Sequence, residues 1–214
     1  MARITVIGGA GYAGSGVVKS AAARGHEVTS YSRNLPEQEV DGVRYKTGSI
    51  LEEPVAHAAV QGADVVVVAL SPRGDMAGRV KDAAVAPLAA IAREAGVRLG
   101  VIVGAGSLQV APGGPRILDG DVPAEYKPEM LEMAAVLDHL KGSDESLDWF
   151  YFSPAGGFGA FAPGETTGTH RLGGDVLVTD AEGNSNRSNG DLGMVIVDEI
   201  EQPAHRRARF TAAY

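Results

Sequence analysis

Three glycines spaced Gly8-x-x-Gly11-x-x-Gly14 stand in the stretch RITVIGGAGYAGSGVVKSAAARG, between an apolar run and a run of small residues. A phosphate grip needs this spacing between a buried strand and a helix start. One glycine permits the sharp turn, a second lets backbone approach a pyrophosphate, and the third lets helix and strand pack closely. The free N–H groups at the helix start then face the anion. A ligand-free glycine turn would show the same letters, so the strand-loop-helix context carries the reading. At the end of the next strand, TSYSRN offers Arg33 and no carboxylate, while Glu27 lies at the opposite end. A ribose 2′-hydroxyl is usually met by an acid about 20 residues beyond the loop. A guanidinium there pairs instead with a 2′-phosphate, and Ser32 can add a hydrogen bond; the plain alternative is a solvated arginine. The expected cofactor is NADPH, with NADH second.

The elements that must position these groups alternate along the chain. RITVIG, HEVTSYSR, GVRYKTGSI, ADVVVVAL, VRLGVIVGAG and LDWFYFSP read as strands. The β-branched run in ADVVVVAL has no polar alternation, as in a parallel strand covered on both faces. Helices are expected over GSGVVKSAAARG, EPVAHAAVQG, the long stretch from Met76 to Gly96 with a disturbance at Pro87, and PEMLEMAAVLDHLKG. After Pro154 the chain becomes loop-rich, with DVLVTD and RARFTAAY as short strands around a helix in NGDLGMVIVDEIEQ. This rhythm predicts an α/β fold, a Rossmann-type doubly wound parallel sheet with a small C-terminal substrate lobe. A single domain is expected over 1–214, its core about 1–154 and its lobe about 155–214. Ligands of such sheets sit beyond the carboxyl ends of the strands.

Composition narrows the chemistry. The 214 residues carry a formal charge of −8, against a phosphate-backbone footprint, so no nucleic-acid partner is expected. There is no cysteine, which excludes disulfides and thiolate chemistry. The five histidines, His26, His57, His139, His170 and His205, are scattered without ligand spacing, so no metal site is expected. The longest apolar run is too short to cross a bilayer and no signal segment precedes the first strand. A cytoplasmic protein, monomer or homodimer, away from the membrane, is the expectation.

The segments ITVIGGAGYAGSGVVKSAAARGHEVTSYSRN, GADVVVVALSP, VIVGAGSL, PAEYKPEMLEMAAVLDHLK, LDWFYFSPAGGFGAFAPGETTGTHRLGGD and VDEIEQPAHRRARFTAAY occur in this order. Together they resemble the atypical short-chain dehydrogenase/reductases of the NAD(P)H-binding, NADH-flavin-reductase-like group, whose relatives include biliverdin reductase B-like and NmrA-like proteins. The resemblance covers nearly the whole chain. It implies that Gly8, Gly11 and Gly14 form the loop, that Tyr12 and Ala13 offer backbone N–H groups to the pyrophosphate, and that Arg33 meets the 2′-phosphate. Ser49 stands where relatives often have an aspartate facing the adenine. Ala69, Leu70 and Ser71 would line the path from adenosine ribose to nicotinamide. Gly104 to Ser107 would lie near the nicotinamide, and Ser153, Pro154 and Ala155 would meet its carboxamide.

Conventional members of that superfamily use a serine, and a tyrosine followed four residues later by a lysine, so that the ammonium lowers the tyrosine pKa from the same helix face. Ser107 is in a suitable place, either holding a substrate carbonyl or satisfying its own turn. The candidate tyrosine is Tyr126, but the residue four further on is Met130, and Lys127 would point about 100° away on a helix. Tyr126 is a general acid or a residue covering the cleft. Without the usual pair, hydride transfer to a flavin such as FMN, a quinone or a similar conjugated acceptor suits the chain, because delocalisation and solvent manage the proton and binding geometry does the rest. Phe158 and Phe161 are candidates for the acceptor platform or for a lobe core, and His170 is a candidate for an anionic substrate or a solvated loop. A cofactor-sensing regulator and a nicotinamide-dependent epimerase or isomerase are the alternative readings.

Overall fold

The computed structural model describes residues 1–214, and its eight strands form one sheet in the order β3-β2-β1-β4-β5-β6-β8-β7. The strands are β1 (Arg3–Ile7), β2 (Glu27–Ser32), β3 (Arg44–Thr47), β4 (Val65–Val68), β5 (Arg98–Ile102), β6 (Trp149–Pro154), β7 (Arg171–Gly173) and β8 (Ala208–Ala213). All pair in parallel except β7, which runs antiparallel to β8. The helices are α1 (Tyr12–Ala23), α2 (Glu53–Val60), α3 (Ala86–Ala95), α4 (Lys127–Lys141) and α5 (Asn189–Glu201). No helix is long and apolar enough to cross a membrane.

The central strands of the sheet are buried on both faces, as their unbroken apolar runs require. In β4, Val65 and Val67 join the core beneath α1 and α5, whereas Val66 and Val68 join the core beneath α2, α3 and α4. In β6, Phe150 and Phe152 face the first side and Trp149 and Tyr151 the second. Period-two alternation of this kind leaves no polar face on a parallel strand. Two glycines let α1 and α5 touch along their backbones: a Cβ on Gly193 would come within 2.1 Å of the Gly16 carbonyl oxygen. Strand order reverses between β1 and β4, and the crevice opens there.

The buried start of β5 is tied to the end of α5. Arg98 donates to Glu199 Oε1 at 2.6 Å and to the carbonyls of Glu199 and His205. Burial pushes the Glu199 carboxyl up, but Arg98 and His205 outweigh it and hold it below its ordinary value.

Two sequence expectations change. The helix expected from Met76 to Gly96 is divided into a 3₁₀ turn at Gly74–Met76, a π-helical stretch at Val80–Val85 and α3. Pro87 has no N–H and its ring crowds the preceding turn, so the chain widens ahead of it. DVLVTD is not a strand: Val176 makes a single bridge to Gln109, and the strand beside β8 is Arg171–Gly173. Side chains pin DVLVTD instead. Asp175 accepts from Arg209, and Asp180 accepts from the N–H groups of Glu182 and Asn184. Within the last third, α5, β8 and the edge strand β7 join the main layers, and the rest of the stretch from about 155 to 187 lies beside them.

Candidate functional site

At the end of β1, Gly8 adopts a φ of +82°, and a Cβ there would meet the Ala69 carbonyl oxygen at 2.3 Å. Only glycine fits both the conformation and the space. Gly11 precedes α1 with no side-chain cap and no acidic residue in the first turn. The N–H groups of Tyr12, Ala13 and Gly14 donate to no protein acceptor. Free donors at a helix start attract an anion, so the cradle fits a pyrophosphate. Gly14 fills the packing role of the third glycine, since a Cβ there would lie 2.2 Å from the Gly8 carbonyl oxygen.

The cradle opens into a cleft of about 1200 Å³ that runs along the carboxyl ends of β1 to β6. Its size exceeds the range of about 300–1,000 Å³ for ordinary small-molecule sites. The charged residues lining it are Lys19, Arg33 and Arg73 against Glu37 and Glu129, a cationic balance in a chain of charge −8. Gly8, Gly11, Tyr12 and Ala13 line one part, with Ser32, Arg33 and Ser49 at the β2 and β3 end. Ala69, Leu70 and Ser71 continue to Gly104, Pro154 and Ala155, and Phe158 and Phe161 stand at the far mouth. Ser32 Oγ accepts from the Ala10 N–H at 2.9 Å, which orders the loop and leaves its own proton free. Arg33 pairs with Asp75 at 3.0 Å.

Five expected residues do not line this cleft. Gly14 lies beneath the loop, as its packing role demands. Ser153 is fully buried, its hydroxyl without a partner. Ser107 sits in the 3₁₀ turn Ala105–Ser107 and faces a separate pocket of about 200 Å³, where its Oγ accepts from Arg209 at 3.1 Å. Tyr126 precedes α4, half exposed and off the cleft. His170 lies in the side segment, where burial and then the Arg187 guanidinium lower its pKa.

The face that α4 turns to the cleft carries Glu129 and Met133, four residues apart. Arg73 Nε donates to Glu129 Oε2 at 2.6 Å, so the carboxylate is already committed to a guanidinium. Sequence reasoning missed Arg73 and this pair because it counted the helix face from Tyr126; counting from the proline-marked helix start would have found it. Tyr12 joins the cradle to the far mouth. Its ring packs on Phe158 at 5.2 Å between centroids, and its hydroxyl donates to the Pro163 carbonyl. Asp191 anchors the same segment by accepting from the N–H groups of Thr167 and Gly168 and from the Tyr214 hydroxyl. Burial raises the Asp191 pKa, but these bonds outweigh it and keep the group ionised below the usual carboxylate range.

Residues 8–203 match the model of the NAD(P)H-binding family. Among solved structures, the chain is 38% identical to a candidate exported protein of Burkholderia pseudomallei, with a TM-score of 0.85 and full coverage of both chains. It is 31% identical to a candidate epimerase of Bacteroides thetaiotaomicron, covering 100% of this chain and 98% of the other at a TM-score of 0.86. It is 27% identical to a candidate NADH-flavin reductase of Streptococcus pneumoniae, covering 100% and 99% at a TM-score of 0.85.

Proposed function

The chain belongs to the NAD(P)H-binding family, and from that premise we propose that it is an NADPH-dependent reductase passing hydride to a flavin, a quinone or a similar conjugated acceptor. The observation that carries this reading is the cleft itself: an anion cradle at one end, an apolar mouth at the other, and no free acid on the α4 face between them. The N–H groups of Tyr12, Ala13 and Gly14 hold the pyrophosphate and Arg33 holds the 2′-phosphate. Gly104, Pro154 and Ala155 border the nicotinamide, and Phe158 and Phe161 shield the acceptor ring from water. When bound, the reduced nicotinamide supplies the hydride. The protein supplies proximity, orientation and a dry face, which suffices for a ring that delocalises charge and takes its proton from solvent.

The Bacteroides structure supports a second reading, an epimerase that regenerates its own nicotinamide. Such chemistry needs a proton donor and acceptor at the substrate carbon. Ser107 and Tyr126 are off the cleft and Glu129 is paired with Arg73, so the reductase reading is favoured.

The test follows NADPH absorbance with purified protein and a panel of FMN, riboflavin, quinones and aldehydes. Protein-dependent oxidation with a flavin or quinone and none with aldehydes is expected. Saturable NADPH binding without turnover of any acceptor would overturn the reductase and favour a cofactor-sensing regulator.

A further inference from the structure

The segment between β4 and the π-helical stretch, Ser71 to Arg79, lends Ser71, Pro72, Arg73 and Met76 to the cleft wall. On the α4 side it is held twice: Arg73 donates to Glu129 at 2.6 Å, and Glu132 accepts from the N–H groups of Gly78 and Val80 at 2.7 and 2.6 Å. On the adenosine side it is held by one ion pair. Asp75 Oδ2, from the 3₁₀ turn Gly74–Met76, lies 3.0 Å from Arg33 Nη1 at the end of β2. Both side chains are largely exposed, 60% for Arg33 and 84% for Asp75, so nothing but this contact fixes them. Arg33 has no other hydrogen-bond acceptor. The guanidinium placed to read the cofactor's 2′ position is therefore already engaged by a carboxylate that arrives from a different element.

We infer that Asp75 is a specificity-determining residue: its carboxylate holds Arg33 in the place that a ribose 2′-phosphate takes, so NADPH binds by exchanging one anion for another. This rests on the reading that Arg33 meets the 2′-phosphate. A phosphate monoester carries about −1.5 to −2 charges at neutral pH and three strong acceptor oxygens, whereas the carboxylate carries one charge. The phosphate wins the guanidinium, and Asp75, left beside it, repels it. A ribose 2′-hydroxyl has no charge with which to compete, so NADH leaves the Arg33–Asp75 pair in place. Asp75 thus narrows the preference for NADPH that Arg33 creates. NADPH also frees the strap on its adenosine side, while its α4 anchors stay fast.

The experiment titrates NADPH and NADH separately into the wild-type protein, Asp75→Asn, Arg33→Ala and the double variant, following nicotinamide fluorescence. Asp75→Asn keeps the size and exposure of the side chain, so the fold is preserved. It is expected to tighten NADPH about two- to fivefold, the range an exposed ion pair is worth, and to leave NADH unchanged. Arg33→Ala is expected to weaken NADPH at least tenfold, and the double variant to lose the gain from Asp75→Asn. If Asp75→Asn leaves NADPH affinity unchanged, or tightens both cofactors alike, the Asp75 inference is overturned while the Arg33 reading stands. If Arg33→Ala leaves NADPH affinity unchanged, the Arg33 reading fails and takes the Asp75 inference with it.

Discussion

Ser107 and Tyr126 show how a residue type in a plausible place differs from a residue that lines the cleft. Ser107 follows β5 closely enough to be a catalytic candidate, but the 3₁₀ turn it closes rotates it toward Arg209, which arrives from β8 about a hundred positions later. No local pattern announces that partner. Tyr126 precedes α4, and the helix begins with Pro128 in its first turn, so the cleft-facing positions fall at Glu129 and Met133. Gly8, Gly11 and Gly14 were legible because their demands are local: a positive φ, an uncapped helix start and a backbone contact within six residues. Tyr126→Phe is expected to leave kcat with a flavin acceptor within about twofold. A loss of 10²-fold or more, the scale of a lost general acid, would restore the phenol to the chemistry.

At the scale of elements, the strands and their order of appearance could be read from apolar runs, and the parallel sheet from β-α alternation. What could not be read was anything set by distant packing. Gly16 and Gly193 look like helix-weakening residues in sequence, yet each removes a side chain from the α1–α5 contact. The alternating valines of DVLVTD suggest a strand, but Arg171–Gly173 already occupies the β8 edge, and Asp175 and Asp180 instead accept from Arg209 and from the N–H groups of Glu182 and Asn184. The α1–α5 contact matters for function because α1 carries the cradle at its N-terminus, and Asn189 at the start of α5 donates to Ser15 in its first turn. Gly193→Ala puts a methyl 2.1 Å from the Gly16 carbonyl oxygen, so α1 must shift. Overpacking of this kind costs about 1–3 kcal/mol. A fall in Tm together with weaker NADPH binding is expected in thermal unfolding with and without cofactor; an unchanged Tm would show that the two helices separate freely.

For the whole molecule, the sheet brings the two ends of the cleft together from opposite halves of its strand order. The end proposed for the adenosine is built by β1, β2 and β3, the far mouth by β5, β6 and the segment beyond β6, with β4 between them. Tyr12 spans the two by touching Phe158 and Pro163, so the loop proposed to grip phosphate also supports the wall of the proposed acceptor mouth. Ranking acceptors is beyond what local residue types encode, because that mouth draws on residues spread from Met76 to Phe161. Its lining is aromatic and aliphatic, with Met76, Met133, Phe158 and Phe161 around it, which suits a flat conjugated ring better than a sugar. Direct hydride transfer between two rings stacked in one cleft is the central claim. The decisive measurement supplies NADPH deuterated on either face of nicotinamide C4 together with a 5-deazaflavin, which retains the transferred hydrogen on carbon. Deuterium from one face alone, arriving in the deazaflavin without exchange with water, is the predicted result. Equal transfer from both faces, or reduced deazaflavin carrying only solvent hydrogen, would contradict it.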